Sequence, residues 1–126
     1  LMSKAVVNDI VDIPRMRIAL DRNKNIIAKI LTRKEIDQLP TQDISSKRFV
    51  ESLSARFAAK EALAKSLGRS VFGIGFHNIE ILKPEGSSKP EISLLEGPTS
   101  RNMKFHLSIS HSDSSAIATV IAESQE

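Results

Sequence analysis

The stretch Arg56-Phe57-Ala58-Ala59-Lys60-Glu61-Ala62-Leu63-Ala64-Lys65-Ser66-Leu67-Gly68 constrains the fold of this chain more than any other. It reads as the second half of a helix that begins near Ser46. Ala, Leu, Lys and Glu favour helix, and Gly68 stands where a left-handed residue closes one. At about 100° per residue, Phe49, Val50, Leu53, Phe57, Leu63, Ala64 and Leu67 share one broad apolar face. Arg56 and Lys60 fall inside that face, Glu61 on its edge, and Lys65 one turn further on. Ionised groups are seldom buried unless paired or bound, and a broken binary pattern is expected at a functional site. The bland alternative is an amphipathic helix with snorkelling lysines and a Glu61–Lys65 surface bridge.

At 126 residues the chain suffices for one domain with a core, read as residues 2–126. Leu1 reads as a remnant before a native Met and is left out of the fold reasoning. No apolar run approaches a membrane span, and no signal-peptide pattern opens the chain. The absence of Cys excludes disulfides, thiolate zinc sites and a Cys nucleophile, and fits a reducing cytoplasm. A net charge of +3 favours an anionic partner. With only five Phe and no Trp or Tyr, base-stacking platforms are poorly stocked, which argues against nucleic acid.

Residues 4–13 read as a β-branched strand in which Asp9 sits among apolar neighbours. Asp12 fits as the cap of the next helix, with Pro14 in its first turn. Asp9 has no such role, so it is a candidate ligand or else an edge or bulge position. Residues 14–23 form a short basic helix carrying Arg15, Arg17 and Arg22, and residues 25–31 a second short helix. Thr32-Arg33-Lys34-Glu35 is a capping box. Residues 69–75 read as a glycine-bearing loop, without the Walker or Rossmann pattern. Residues 77–82 and 91–95 read as a hairpin, 97–102 as a loop or short helix, and 105–110 and 116–122 as two more strands. The tail from Ser124 is expected to fray. Helices early and strands late argue an α+β fold with an antiparallel sheet, packed against the long helix and the short ones.

Two carboxylates in apolar settings, Asp9 and Glu61, supply hard oxygen donors that suit Mg²⁺. Arg48, Arg56, Lys60 and Lys65 supply charge for phosphate. Together these make a kit for metal-assisted phosphoryl chemistry. His111 ends a strand and is a candidate phosphate donor or base, although a lone turn histidine is more often structural. Ser110, His111 and Asp113 lie too close in sequence to form a nucleophilic triad. His77, His106 and His111 lack zinc spacing.

Three segments carry a family resemblance: Asp9-Ile10-Val11-Asp12-Ile13, the Arg56–Gly68 stretch and Ser108-Ile109-Ser110-His111. With Lys89-Pro90 and Ala116-Ile117-Ala118, they resemble the holo-acyl-carrier-protein synthases, the small single-domain 4′-phosphopantetheinyl transferases. The resemblance implies transfer of the phosphopantetheine arm of coenzyme A to a serine of apo acyl carrier protein. The other product is adenosine 3′,5′-bisphosphate, and the process served is fatty acid biosynthesis. It implies Mg²⁺ held by Asp9 and Glu61. Glu61, directly or through water, helps deprotonate the serine, and Lys65 assists the leaving group. It implies coenzyme contacts from Arg48, Arg56, Lys60, Lys65, Gly68 and His111, and carrier docking on Arg15 and Arg22. It further implies a cytoplasmic homotrimer with active sites between subunits, His111 coming from the neighbour, and no membrane partner.

The sequence departs from that family in three places, one of them the segment 97–104, which is short for the helix usually found there. Val7-Asn8 replaces the usual Gly-Thr before the metal aspartate, and Gly68-Arg69-Ser70 replaces Gly-Thr-Gly. Both bear on the phosphate loop, not on the carboxylate pair. Two other classes compete: a basic non-enzymatic binding module, and a Mg²⁺-dependent phosphotransferase acting on another carrier domain.

Overall fold

A computed structural model describes residues 4–97 and 99–125. Its centre is a helix laid across a small sheet. Strand β1 (Lys4–Asp12) alternates, so that Val7, Asp9 and Val11 point inward while Val6, Asn8 and Ile10 face out. It pairs antiparallel with β5 (Ser115–Ser124), which pairs antiparallel with β4 (Met103–His111), giving the order β1-β5-β4. The inward residues of β5 are Ala116, Ala118, Val120 and Ala122, all buried. Against this sheet packs helix α4 (Lys47–Ser66), whose Ala58 and Ala62, one turn apart, share a buried cluster with Ala118 and Val120. Small side chains on both surfaces let helix and sheet approach closely, which brings Asp9 of β1 within reach of α4.

The ends of α4 follow the expected chemistry. Ser46 caps it by accepting from the Phe49 N–H at 3.1 Å. Gly68, at φ +67°, closes it in the left-handed region, and the following Arg69 N–H donates to Ala64 O. Ahead of it, α1 (Ile13–Arg22) starts on Asp12, whose carboxylate accepts from the Arg15 N–H at 3.0 Å. Ile13, Met16 and Leu20 bury one stripe of α1 against Leu53 and Phe49 of α4. Short helices α2 (Ile26–Ile30) and α3 (Arg33–Asp37) follow, the latter with the complete Thr32–Glu35 capping box.

Residues 69–75 are not simply a loop. Ser70 caps a single helical turn, α5 (Val71–Ile74), and a 3₁₀ turn follows at Phe76–Asn78. Strand β2 (Ile79–Leu82) therefore starts two residues later than the sequence pattern predicts. The cause is Asn78, whose side-chain amide exchanges two hydrogen bonds with the Glu96 backbone. β2 and β3 (Glu91–Leu94) form a separate two-stranded sheet, so the antiparallel sheet is split in two. Of the segment 97–102, the described part is turns, and Pro98 lies outside the described residues. The tail is better held than expected. Ser124 pairs with Met103, and Gln125 donates to Asn102 O at 2.8 Å, while Leu1 and Glu126 lie outside the described residues. No described helix is long and apolar enough to cross a membrane.

Candidate active site

Asp9, Glu61 and Lys65 converge where β1 meets the last turns of α4. Asp9 is on the inward face of its strand. Glu61 and Lys65, one helical turn apart, share a side of the helix. Lys65 Nζ donates to Asp9 Oδ1 at 2.6 Å, with the lysine side chain 53% exposed and the aspartate 13%. Glu61 is half-buried. Burial pushes its carboxyl above the ordinary carboxylate value, the negative charge of Asp9 adds to this, and Lys65 pulls the other way. Lys65 is held above its usual value by its bond to Asp9. The site is thus a pair of crowded carboxylates with one cation on its open side.

The donor set fits Mg²⁺. Among the described residues no three His, Cys, Asp or Glu cluster as a metal cage. Magnesium needs only one or two carboxylates and completes its octahedron with water and phosphate oxygens. Asp9 and Glu61 would hold it.

A second group lines a cleft of about 320 Å³ beside the first turns of α4. Arg48, Ser52 and Arg56 come from the helix, Lys83 and Pro90 from the ends of the β2–β3 hairpin, and His111 from the end of β4. The Arg56 guanidinium donates to Ser52 O at 3.2 Å, yet its buried Nε has no partner. Burial pushes its pKa down. An anion in the cleft would satisfy that orphaned donor. His111 is exposed, with Nδ1 3.5 Å from Glu51 Oε2.

Gly68 is exposed, with open space where a Cβ would sit, so its requirement is conformational. Arg15 and Arg22 both project from α1 into solvent. Arg17 does not belong with them. Its guanidinium clamps Ile44 O with two bonds, at 3.0 and 2.9 Å, fixing the segment that leads into α4.

Lys60 corrects the sequence reading. Its side chain is fully buried, and its ammonium donates to Glu35 Oε1 (2.7 Å), Ile30 O (2.7 Å) and Phe76 O (2.9 Å). Three donors thus have three acceptors, and nothing remains for a coenzyme phosphate. The reason is rotational. Glu61 turns toward β1, whereas the preceding residue turns toward the α2–α3 side. Sequence reasoning missed Glu35 as the partner, because its capping-box role already accounted for it. Phe57, on the apolar face as expected, is partly buried against the core. It also stacks on Phe76 at 5.9 Å, and Phe72 meets Phe76 edge-on, along an apolar groove shared with Met16 and Ile26.

The profile of the 4′-phosphopantetheinyl transferase superfamily matches residues 5–120. A holo-[acyl-carrier-protein] synthase of Clostridium perfringens is 39% identical, over 93% of this chain and 91% of its own length. The crystal structure of a holo-(acyl-carrier-protein) synthase from Bacillus anthracis, in complex with CoA (3′,5′-ADP), superposes with a TM-score of 0.80. It is 30% identical, and the match covers 98% of this chain and 99% of that one. The Helicobacter pylori synthase in complex with coenzyme A gives a TM-score of 0.78 at 28% identity, over 94% of this chain and 99% of that one. With carboxylates and a lysine gathered at the end of its central helix, and relatives of this kind along nearly its whole length, the chain belongs to the holo-[acyl-carrier-protein] synthase family of 4′-phosphopantetheinyl transferases.

Proposed function

We propose that this protein, as a single domain, transfers the phosphopantetheine arm of coenzyme A to a serine of apo acyl carrier protein. The observation that carries the reading is the convergence of Asp9, Glu61 and Lys65, with Lys65 2.6 Å from Asp9. The serine oxygen bonds to the phosphorus that bears the pantetheine arm. The pyrophosphate P–O bond breaks, and adenosine 3′,5′-bisphosphate leaves. Glu61, directly or through a water, helps take the serine proton. Lys65 moves its ammonium from Asp9 to the phosphate oxygens and stabilises the charge that grows on the leaving side. Mg²⁺, which Asp9 and Glu61 would hold, would neutralise the pyrophosphate charge. Arg48, Arg56 and His111 hold the nucleotide and its 3′-phosphate, the orphaned Nε of Arg56 being the donor in want of an anion.

The working assembly is a homotrimer in the cytoplasm that serves fatty acid biosynthesis. Support for assembly comes from the outer face of the β1-β5-β4 sheet, where Val6 and Ile10 are each 65% exposed beside Ile117. Covering that face with neighbouring chains would allow His111 of one subunit to serve the site of the next. Arg15 and Arg22 steer the acidic carrier protein. The test is to mix the protein with apo carrier protein, coenzyme A and Mg²⁺ and to weigh the carrier. A gain of one phosphopantetheine arm is expected. No gain with several carrier proteins and a folded enzyme would overturn the reading.

A further inference from the structure

The buried pair Lys60–Glu35 has no part in the chemistry just described, yet it is the most heavily bonded polar group in the core. Besides Lys60, Glu35 Oε1 accepts from the Thr32 N–H at 2.7 Å, and Oε2 accepts from the Ile81 N–H at 2.9 Å. Lys60 reaches the last carbonyl of α2 and the carbonyl of Phe76 in the 3₁₀ turn. One cluster therefore joins α2, α3, the 3₁₀ turn and β2 to a single point on α4. That point is the residue before Glu61.

Between Ala58 and Ala64 the helix carries one large apolar side chain, the buried Leu63, and is otherwise small where it meets β5. Ala58 and Ala62, one turn apart on α4, share a buried cluster with Ala118 of β5. Methyl groups on both surfaces give a close contact with few knobs and holes, and so little resistance to sliding or rotation. A helix rises 1.5 Å and turns 100° per residue, so a small slip carries Glu61 off Asp9. Buried charge pairs often add nothing to stability over apolar side chains, and their best-attested use is to fix a register.

We propose that Lys60 and Glu35 are positioning residues that lock the axial and rotational setting of α4, and thereby hold the Glu61 carboxylate opposite Asp9. This rests on the transferase reading of the Asp9–Glu61 site. The same cluster carries Phe76, which lines the apolar groove beside α1, so the lock also ties that groove to the catalytic glutamate.

The test compares five proteins: wild type, Lys60→Met, the neutral pair Lys60→Met/Glu35→Gln, Leu107→Ala and Glu61→Gln. Leu107→Ala is a buried core truncation in β4, a strand that shares no hydrogen bond with the cluster. Each is assayed for carrier modification well below its own Tm, and for Mn²⁺ binding by electron paramagnetic resonance. Lys60→Met and the neutral pair are expected to lose at least tenfold in kcat, as about 1 Å of misplacement would cause. Their KM for coenzyme A should stay within about threefold, and Mn²⁺ binding should weaken, whereas Leu107→Ala keeps its kcat within about twofold. A folded neutral pair with near wild-type kcat and Mn²⁺ affinity overturns the proposal. So does a neutral pair that fails to fold, because the cluster is then a structural necessity alone. So does an equal kcat loss in Leu107→Ala. An active Glu61→Gln sinks the transferase reading of the site itself, which separates the two failures.

Discussion

Replacing Lys65 by Met separates what the site does for chemistry from what it does for stability. In contact geometry the Lys65–Asp9 pair looks strong at 2.6 Å. Unscreened Coulomb arithmetic would assign it several kcal/mol even at an effective dielectric of about 20. The lysine is 53% exposed, however, so water screens the charge and side-chain entropy offsets part of the gain. Exposed pairs of this kind are worth about 0–1 kcal/mol. Since Asp9 keeps access to water when Lys65 is lost, the expected stability change is at most about 1 kcal/mol, a Tm shift under about 5 °C. Catalysis should respond differently, because the ammonium acts on charge that develops in the transition state. Removing one such group costs about 10²–10³ in kcat. The assay is a thermal melt by circular dichroism beside a mass-spectrometric rate of carrier modification. A Tm drop above about 10 °C, or a kcat within threefold of wild type, would refute the reasoning.

Four further outcomes are expected. The Glu61 carboxyl sits above its ordinary value, so between that value and the raised one the folded chain binds more protons than the unfolded chain. Stability therefore falls as pH rises through that window, and Glu61→Gln should remove the fall, read from melts across pH. Mn²⁺ affinity should rise through the same window in wild type, and Lys65→Met should move that rise to higher pH because Lys65 holds the value down. Arg15→Glu should raise the KM for carrier protein about tenfold at low salt and much less at high salt, with kcat kept, as measured by initial rates. Leu53→Ala, at a fully buried position on α4, should cost about 2–5 kcal/mol in a denaturant titration.

The architecture was largely legible because its signals are local. Asp12-Ile13-Pro14, Thr32–Glu35, Ser46 and Gly68 each announce a helix end through side-chain or backbone chemistry, and all appear where they point. Strict alternation marked β4, and the interrupted apolar run marked β1. What stayed hidden depends on distant partners. Asn78 delays β2 by bonding residues eighteen positions on. The split of the sheet follows from pairings that no single strand encodes. Lys60 and Glu61 are neighbours with opposite fates, and periodicity placed both near the apolar face without saying which one turns into the core. The choice is made by Glu35, twenty-five residues away, whose carboxylate satisfies the lysine. Asp9, by contrast, stood out because an acid inside an apolar strand needs a reason, and Lys65 is its neighbour in the fold.

Crystals grown with coenzyme A and Mn²⁺, and measured at the manganese edge, test the central claim most directly. An anomalous peak is expected between the Asp9 and Glu61 carboxylates, within about 2.2 Å of an oxygen from each, with Lys65 Nζ moved from Asp9 to a phosphate oxygen. A map with manganese bound elsewhere, or with Lys65 still on Asp9 and coenzyme A in place, would contradict it.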